Sequence, residues 1–203
     1  MRALLRLLEE AQADGFLGPG PVDEHVDHAA AFVAAAGEAP ERLLDLGSGG
    51  GVPVLVLALT WPTTEVVLLD AQLRRTRFLH HAVDALALGE RVRPTHGRAE
   101  DLGRQAGWRA RFDLVTARAF ARPAVTAECG RPFLVPGGRL LVAEPPAPRA
   151  DRWPPIGLDE LALRDAGLEG TGDAYVRCLE AVGDCPERFP RRAGIPAKRP
   201  LFA

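Results

Sequence analysis

The run Leu43-Leu44-Asp45-Leu46-Gly47-Ser48-Gly49-Gly50-Gly51-Val52-Pro53 ends an apolar stretch in a carboxylate and follows it with spaced glycines. Gly47, Gly49 and Gly51 permit a tight turn and let a ligand approach the backbone closely. A dinucleotide fingerprint, G-x-G-x-x-G, would need glycine at position 52, which holds Val52. Asp45 also speaks against a pyrophosphate, because the phosphate-holding turn works through positive potential and a carboxylate beside it would repel the ligand. An acid there suits a cation. S-adenosylmethionine has an ammonium group, a sulfonium and no phosphate, so this turn predicts it as the cofactor. Asp70 closes the next apolar run, where an acid can accept hydrogen bonds from both ribose hydroxyls.

A turn of this kind needs a strand behind it and a helix after it. Apolar runs at Arg42–Leu46, Glu65–Leu69, Val92–His96, Phe112–Thr116 and Arg139–Ala143 are short and poorly alternating, as strands buried on both faces are. Between them, Val52–Thr60, Gln72–Leu88 and Ala121–Leu134 read as helices, with Leu73, Phe78, Leu79, Val83 and Leu86 on one face of the second. Strands alternating with helices predict a mostly parallel α/β sheet. Pro145, Pro146, Pro148, Pro154 and Pro155 then mark a loop, and Leu161–Arg164 with Ala174–Val182 read as an antiparallel hairpin closing the sheet edge. That is the pattern of a Rossmann-like class I methyltransferase. Residues 1–14 and 23–36 predict two helices, the second with Asp23 as N-cap, joined by the glycine- and proline-rich segment 15–21. The expected organisation is one domain over 1–203, with a helical flank or lid at 1–40 and the core and a basic C-terminal loop at 41–203.

Composition narrows the classes. With 47% hydrophobic and 26% charged residues the chain is an ordinary globular one, without an apolar run long enough to span a bilayer. Glu9 and Glu10 interrupt the leucines of the N-terminus too early for a signal peptide, which predicts a cytoplasmic protein. Cys129, Cys178 and Cys185 have no metal or redox spacing and read as reduced thiols, and the five histidines lack the partners that would make a metal site. The net charge of −2 is low for a protein that binds RNA mainly through phosphates. Two local basic stretches can still do so: Arg74, Arg75 and Arg77, and Arg188, Arg191, Arg192, Lys198 and Arg199.

Taken in order, the motifs resemble those of the bacterial small-subunit (16S) rRNA guanine-N7 methyltransferases of the RsmG or GidB type. They are D-L-G-x-G-x-G-x-P at Asp45–Pro53, an acid at Asp70 followed by Arg74-Arg75-Thr76-Arg77-Phe78-Leu79, and Arg98-Ala99-Glu100-Asp101. There follow Phe112-Asp113 with Arg118-Ala119, Pro136-Gly137-Gly138, and the run Pro190–Leu201. The resemblance implies that Gly47 and Val52 line the cofactor turn, that Ala99 and Glu100 sit at the adenine, and that Arg118 faces cofactor and acceptor. It implies small-subunit rRNA or the ribosomal subunit as partner. Guanine N7 carries a free lone pair, so methylating it needs no general base. The Asn/Asp-Pro-Pro-Tyr/Phe motif of exocyclic-amine methyltransferases is absent: Thr116-Ala117-Arg118-Ala119-Phe120 stands in its place.

The chain also departs from the pattern. His25 aligns with the histidine of an H-x-x-D-S motif, but His28 and Ala29 stand where that motif has Asp and Ser. Where the family has lysine then glycine after the fifth strand, this chain has Glu144 and Pro145. An anion beside a phosphate repels it, which leaves two alternatives open: a methyltransferase acting on a small-molecule acceptor, and a non-catalytic cofactor-binding protein.

Overall fold

In a computed structural model, which describes residues 1–202, seven strands form one sheet in the order β3-β2-β1-β4-β5-β7-β6. The strands are β1 Arg42–Leu46, β2 Glu65–Asp70, β3 Val92–His96, β4 Phe112–Ala117, β5 Leu134–Glu144, β6 Leu163–Thr171 and β7 Ala174–Ala181. The first five are parallel, and β7 enters antiparallel between β5 and β6. The expected architecture, a mostly parallel sheet ending in an antiparallel hairpin, is therefore present. The strand order reverses between β1 and β4, which opens a crevice at their carboxyl ends.

Both faces of the sheet are covered. On one lie α1 (Arg2–Ala13), α2 (Val22–Ala36), α3 (Val54–Thr60) and α4 (Leu73–Ala85). Leu4, Leu8, Phe32, Leu55, Leu57 and Leu79 meet Leu43, Leu68 and Leu141 there, each almost wholly withdrawn from water. On the other lie α5 (Ala99–Leu102), α6 (Pro123–Gly130), α7 (Pro155–Asp159), α8 (Ile195–Lys198) and the chain from 183 to 202, packed on Leu44, Leu46, Val115 and Leu140. Alternate residues of β1 thus serve opposite cores, which is why its sequence does not alternate with polar residues.

Local chemistry moves several boundaries. The N-cap of α2 is Pro21, and Asp23 lies with Glu24 in the first turn, where a negative charge meets the helix dipole. Leu73 is exposed, while Thr76 and Ala82 join Phe78, Leu79 and Val83 on the buried face of α4. The stretch 121–134 is α6 followed by a 3₁₀ turn at Arg131–Phe133. β5 begins at Leu134, five residues early, and admits Pro136-Gly137-Gly138 through a register shift against Phe112 and Leu114. The proline-rich segment holds a 3₁₀ turn at Ala150–Arg152 and α7, and β6 runs well beyond Arg164 to Thr171.

Candidate active site

The glycine turn is fixed to the sheet before any side chain acts. The Gly47 and Ser48 N–H groups both donate to Leu69 O, at 2.8 and 3.1 Å, which folds the turn over the end of β2. Gly47 has φ +73°, and a Cβ there would stand 2.6 Å from the Phe120 ring. At Gly51, φ +88°, a Cβ would collide with Leu55 of the following helix. At both positions the positive φ disfavours any other residue, and a Cβ would have to push aside a neighbouring side chain. Val52 is buried against the helices.

Two carboxylates flank the turn. Asp70 accepts the Gly49 N–H at Oδ2 (2.9 Å) and the Gln72 N–H at Oδ1 (2.8 Å), with Arg75 3.8 Å away. Its oxygens thus brace the turn, and each keeps a second lone pair. Asp45, 1% exposed, accepts the Thr116 hydroxyl at Oδ1 (2.6 Å). Burial pushes its carboxyl up to about 6. The Asp70 charge adds to the rise, and Thr116, Ser48 and Arg118 act against it. A buried acid in this condition gains most from a cation placed beside it.

Arg118 supplies the opposite charge. It follows the last residue of β4, and Ala119 next to it adopts φ +52°, a left-handed conformation costing an alanine about 1 kcal/mol. That turn carries the chain away from the strand and lets Phe120 close on Gly47. Arg118 Nη2 donates to His25 Nδ1 at 2.6 Å, and Nη1 is buried without a partner among the described residues. His25 Nε2 lies 3.2 Å from Gly18 O, which also accepts the Gln12 side chain at 2.7 Å. The connection between α1 and α2 is thereby tied down over the turn, where a Cβ on Gly50 would stand 3.1 Å from Phe16 O.

The expected residues are therefore brought together at one end of β1, β2 and β4, with one adjustment. Ala99 is buried at the start of α5 beyond β3, but the Glu100 carboxylate turns towards the C-terminal segment and accepts the Gly194 N–H at 3.0 Å. The spacing of motifs did not single out Thr116, Phe120 or the role of His25. Only the alignment of His25 with a family histidine hinted at the last.

Glu144 is corrected more strongly. Its side chain has no solvent exposure and accepts hydrogen bonds from Arg152 and the Trp153 indole N–H. It anchors the segment after β5 and presents no anion to the cleft. The basic stretches are also partly consumed inside the fold. Arg74 pairs with Asp14 and lies over the Phe16 ring, Arg75 faces Asp70, Arg188 pairs with Glu160, and Arg191 makes a two-pronged bond to buried Glu128. Arg192, Lys198 and Arg199 are exposed and form no ion pair among the described residues. They ride on the segment that Gly194 fastens to Glu100.

This arrangement suits an α-amino acid moiety attached to a nucleoside. A buried carboxylate with a raised pKa and a buried guanidinium N–H without a partner stand at the same turn, ready for an ammonium and a carboxylate respectively. No helix is long and apolar enough to cross a membrane, and no group of three metal-ligating side chains occurs among the described residues.

Known proteins agree with the geometry. Residues 22–146 match the GidB family model, described as rRNA small subunit methyltransferase G. Proteins named ribosomal RNA small subunit methyltransferase G are similar to the chain. The one from Leuconostoc citreum is 36% identical, covering 85% of this chain and 74% of that one. The one from Brevibacillus brevis is 34% identical, with 79% and 70% covered. Among solved structures, a SAM-dependent methyltransferase from Aquifex aeolicus superposes with TM-score 0.58 at 15% identity, over 74% of this chain and 88% of that one. MtNAS in complex with S-adenosylmethionine gives 0.61 at 15%, over 90% and 73%. The chain spans about half the length of some larger neighbours, such as the mitomycin 7-O-methyltransferase MmcR, of which it covers 53%, and 77% of this chain aligns (TM-score 0.61, 15% identical). These likenesses carry the fold; the sequence relatives and the family match carry the lineage. The chain belongs to the GidB family of small-subunit rRNA methyltransferases and is a class I methyltransferase whose methyl donor is S-adenosylmethionine.

Proposed function

We propose that the protein methylates guanine N7 in small-subunit rRNA, with the donor held at the Gly47–Gly51 turn. The observation that carries the reading is the juxtaposition of Asp45, raised to about 6, with the unpartnered Nη1 of Arg118. Asp45 receives the donor's ammonium, Arg118 its carboxylate, Asp70 the ribose hydroxyls, and Ala99 with the backbone at Glu100 the adenine. When bound, S-adenosylmethionine supplies an electrophilic methyl on a sulfonium. Gly47, Gly49 and Gly51 keep the backbone clear of the ligand, and Val52 and Phe120 exclude water from the turn.

Two of the bases at the turn are engaged. Asp45 is held by Thr116 behind the turn, and the His25 lone pair at Nδ1 is taken by Arg118. Guanine N7 needs no proton removed before it attacks, whereas an exocyclic amine or a hydroxyl must lose one. The residues therefore act by position, which can lower the barrier by several kcal/mol. Arg192, Lys198 and Arg199, exposed on the segment that Gly194 ties to Glu100, offer phosphates a local cationic surface despite the net charge of −2. With Glu144 buried behind Trp153, the argument for a small-molecule acceptor loses its main support. A cytoplasmic location, where ribosomal subunits are found, goes with this reading.

The test is transfer of labelled methyl from S-adenosylmethionine to small ribosomal subunits lacking the guanine-N7 mark, followed by nucleoside analysis. The reading expects the label as 7-methylguanosine at a single site. No transfer by protein that binds the donor would move the acceptor to another class of molecule.

A further inference from the structure

His25 belongs to α2, outside the motifs that mark the cofactor site, yet both of its ring nitrogens are engaged. The partners leave a single tautomer. A guanidinium has no acceptor, so the nitrogen 2.6 Å from Arg118 Nη2 must offer a lone pair, and this is Nδ1. A backbone carbonyl has no donor, so the nitrogen 3.2 Å from Gly18 O must carry the proton, and this is Nε2. Neutral His25 therefore joins the α1–α2 connection to Arg118. With Nη2 held by His25, the guanidinium is fixed, and its Nη1, without a partner among the described residues, is left for a ligand.

We propose that neutral His25 is a positioning residue for the methyl-donor site: it aims Arg118 at the donor's carboxylate and latches the Phe16–Gly18 segment over the turn. The inference rests on the donor site assigned under the proposed function. A proton on Nδ1 would face the Arg118 N–H donor and break the bond, so protonation undoes the device. The charged groups around the ring act in both directions. Arg118, just after β4, and His28 from α2 oppose the charge on His25, Glu24 from α2 favours it, and burial opposes it most. The net direction is a pKa below the ordinary histidine value, which keeps the ring neutral in the cell.

Two substitutions separate positioning from mere structure. His25→Asn places an amide oxygen near the Nδ1 position, where it can accept from Arg118 but cannot titrate. His25→Leu offers no acceptor. The readout is S-adenosylhomocysteine affinity by calorimetry across the pH range, supported by ¹⁵N NMR of the histidine ring. Near pH 7.5, His25→Leu should weaken binding by about tenfold or more, the loss expected for one hydrogen bond to a charged group, and His25→Asn by less than about threefold. In the wild type, affinity should fall as pH is lowered, with both His25 and Asp45 taking up a proton. In His25→Asn only the Asp45 step should remain. The ring spectrum should show a bare Nδ1 and a protonated Nε2. A proton on Nδ1, equal affinities in all three proteins, or an unchanged proton count in His25→Asn would overturn the inference while leaving the donor site standing. Failure of the wild type to bind S-adenosylhomocysteine would remove the proposed function and this inference together.

Discussion

Arginine is used in two ways in this molecule. Away from the cleft, Arg131 in the 3₁₀ turn after α6 is 0% exposed, yet every branch of its guanidinium is bonded: Nε to Leu161 O at 2.9 Å, Nη1 to Leu134 O at 3.3 Å, and Nη2 to Gly183 O. Arg109 likewise bonds Gly103, Phe189 and Cys185 carbonyls, and Arg139 caps α2 through Ala35 and Ala36 O. At the carboxyl ends of the strands the rule is broken. Of three buried side-chain donors without a partner among the described residues, Arg118 Nη1 and Arg75 Nε belong to the cleft. A satisfied buried cation holds a fold together. An unsatisfied one is a cost that the fold alone does not explain, and a ligand can supply the missing acceptor.

The comparison breaks if the two regions respond alike to substitution. Arg131→Leu has the largest expected effect. It strips the donors from a group of buried carbonyls, and should lower stability by about 3–5 kcal/mol, read as a shift in the denaturation midpoint. Glu144→Lys comes next. It puts a cation in a site built to receive Arg152 and Trp153, and a loss on the order of 3 kcal/mol is expected, with no gain in RNA affinity. Tighter RNA binding by a stably folded Glu144→Lys protein would restore this position to the interface.

Asp45 should respond with the opposite sign. Its folded pKa, about 6, lies above the ordinary 3.8, so the native state binds more protons than the unfolded one between those values. Its contribution is complete below about pH 4 and is lost as pH rises through about 6. Asp45→Asn should therefore stabilise the ligand-free protein at pH 7.5 by on the order of 2 kcal/mol, flatten that part of the pH profile, and abolish donor binding. A destabilised Asp45→Asn protein would mean that the carboxylate serves the fold rather than the ligand.

The sequence made the frame of the site legible for physical reasons. Leu43–Asp45 and Glu65–Leu69 announce buried parallel strands because alternate side chains enter two cores, and Gly47 and Gly51 announce a turn because no Cβ fits there. Residues brought together across the chain were harder to read. His25 and Arg118 are 93 positions apart, and nothing local in either segment encodes their bond. Glu144 misled for the same reason: its charge suggested a surface anion, whereas Arg152 and Trp153, eight and nine residues on, turn it inward. The basic runs overstated the free charge because Asp14, Asp70, Glu128 and Glu160 meet them only in the folded chain.

Arg118→Met tests the central claim most directly, with S-adenosylhomocysteine affinity and the melting midpoint measured on the same preparation. The account predicts at least about a tenfold loss of affinity, since a charge-assisted bond to the donor disappears. It predicts a smaller drop in melting midpoint than Arg131→Leu gives, since Nη1 has no partner among the described residues and only the Nη2 bond to His25 is lost from the fold. Unchanged affinity, or a loss of stability comparable to that of Arg131→Leu, would contradict it.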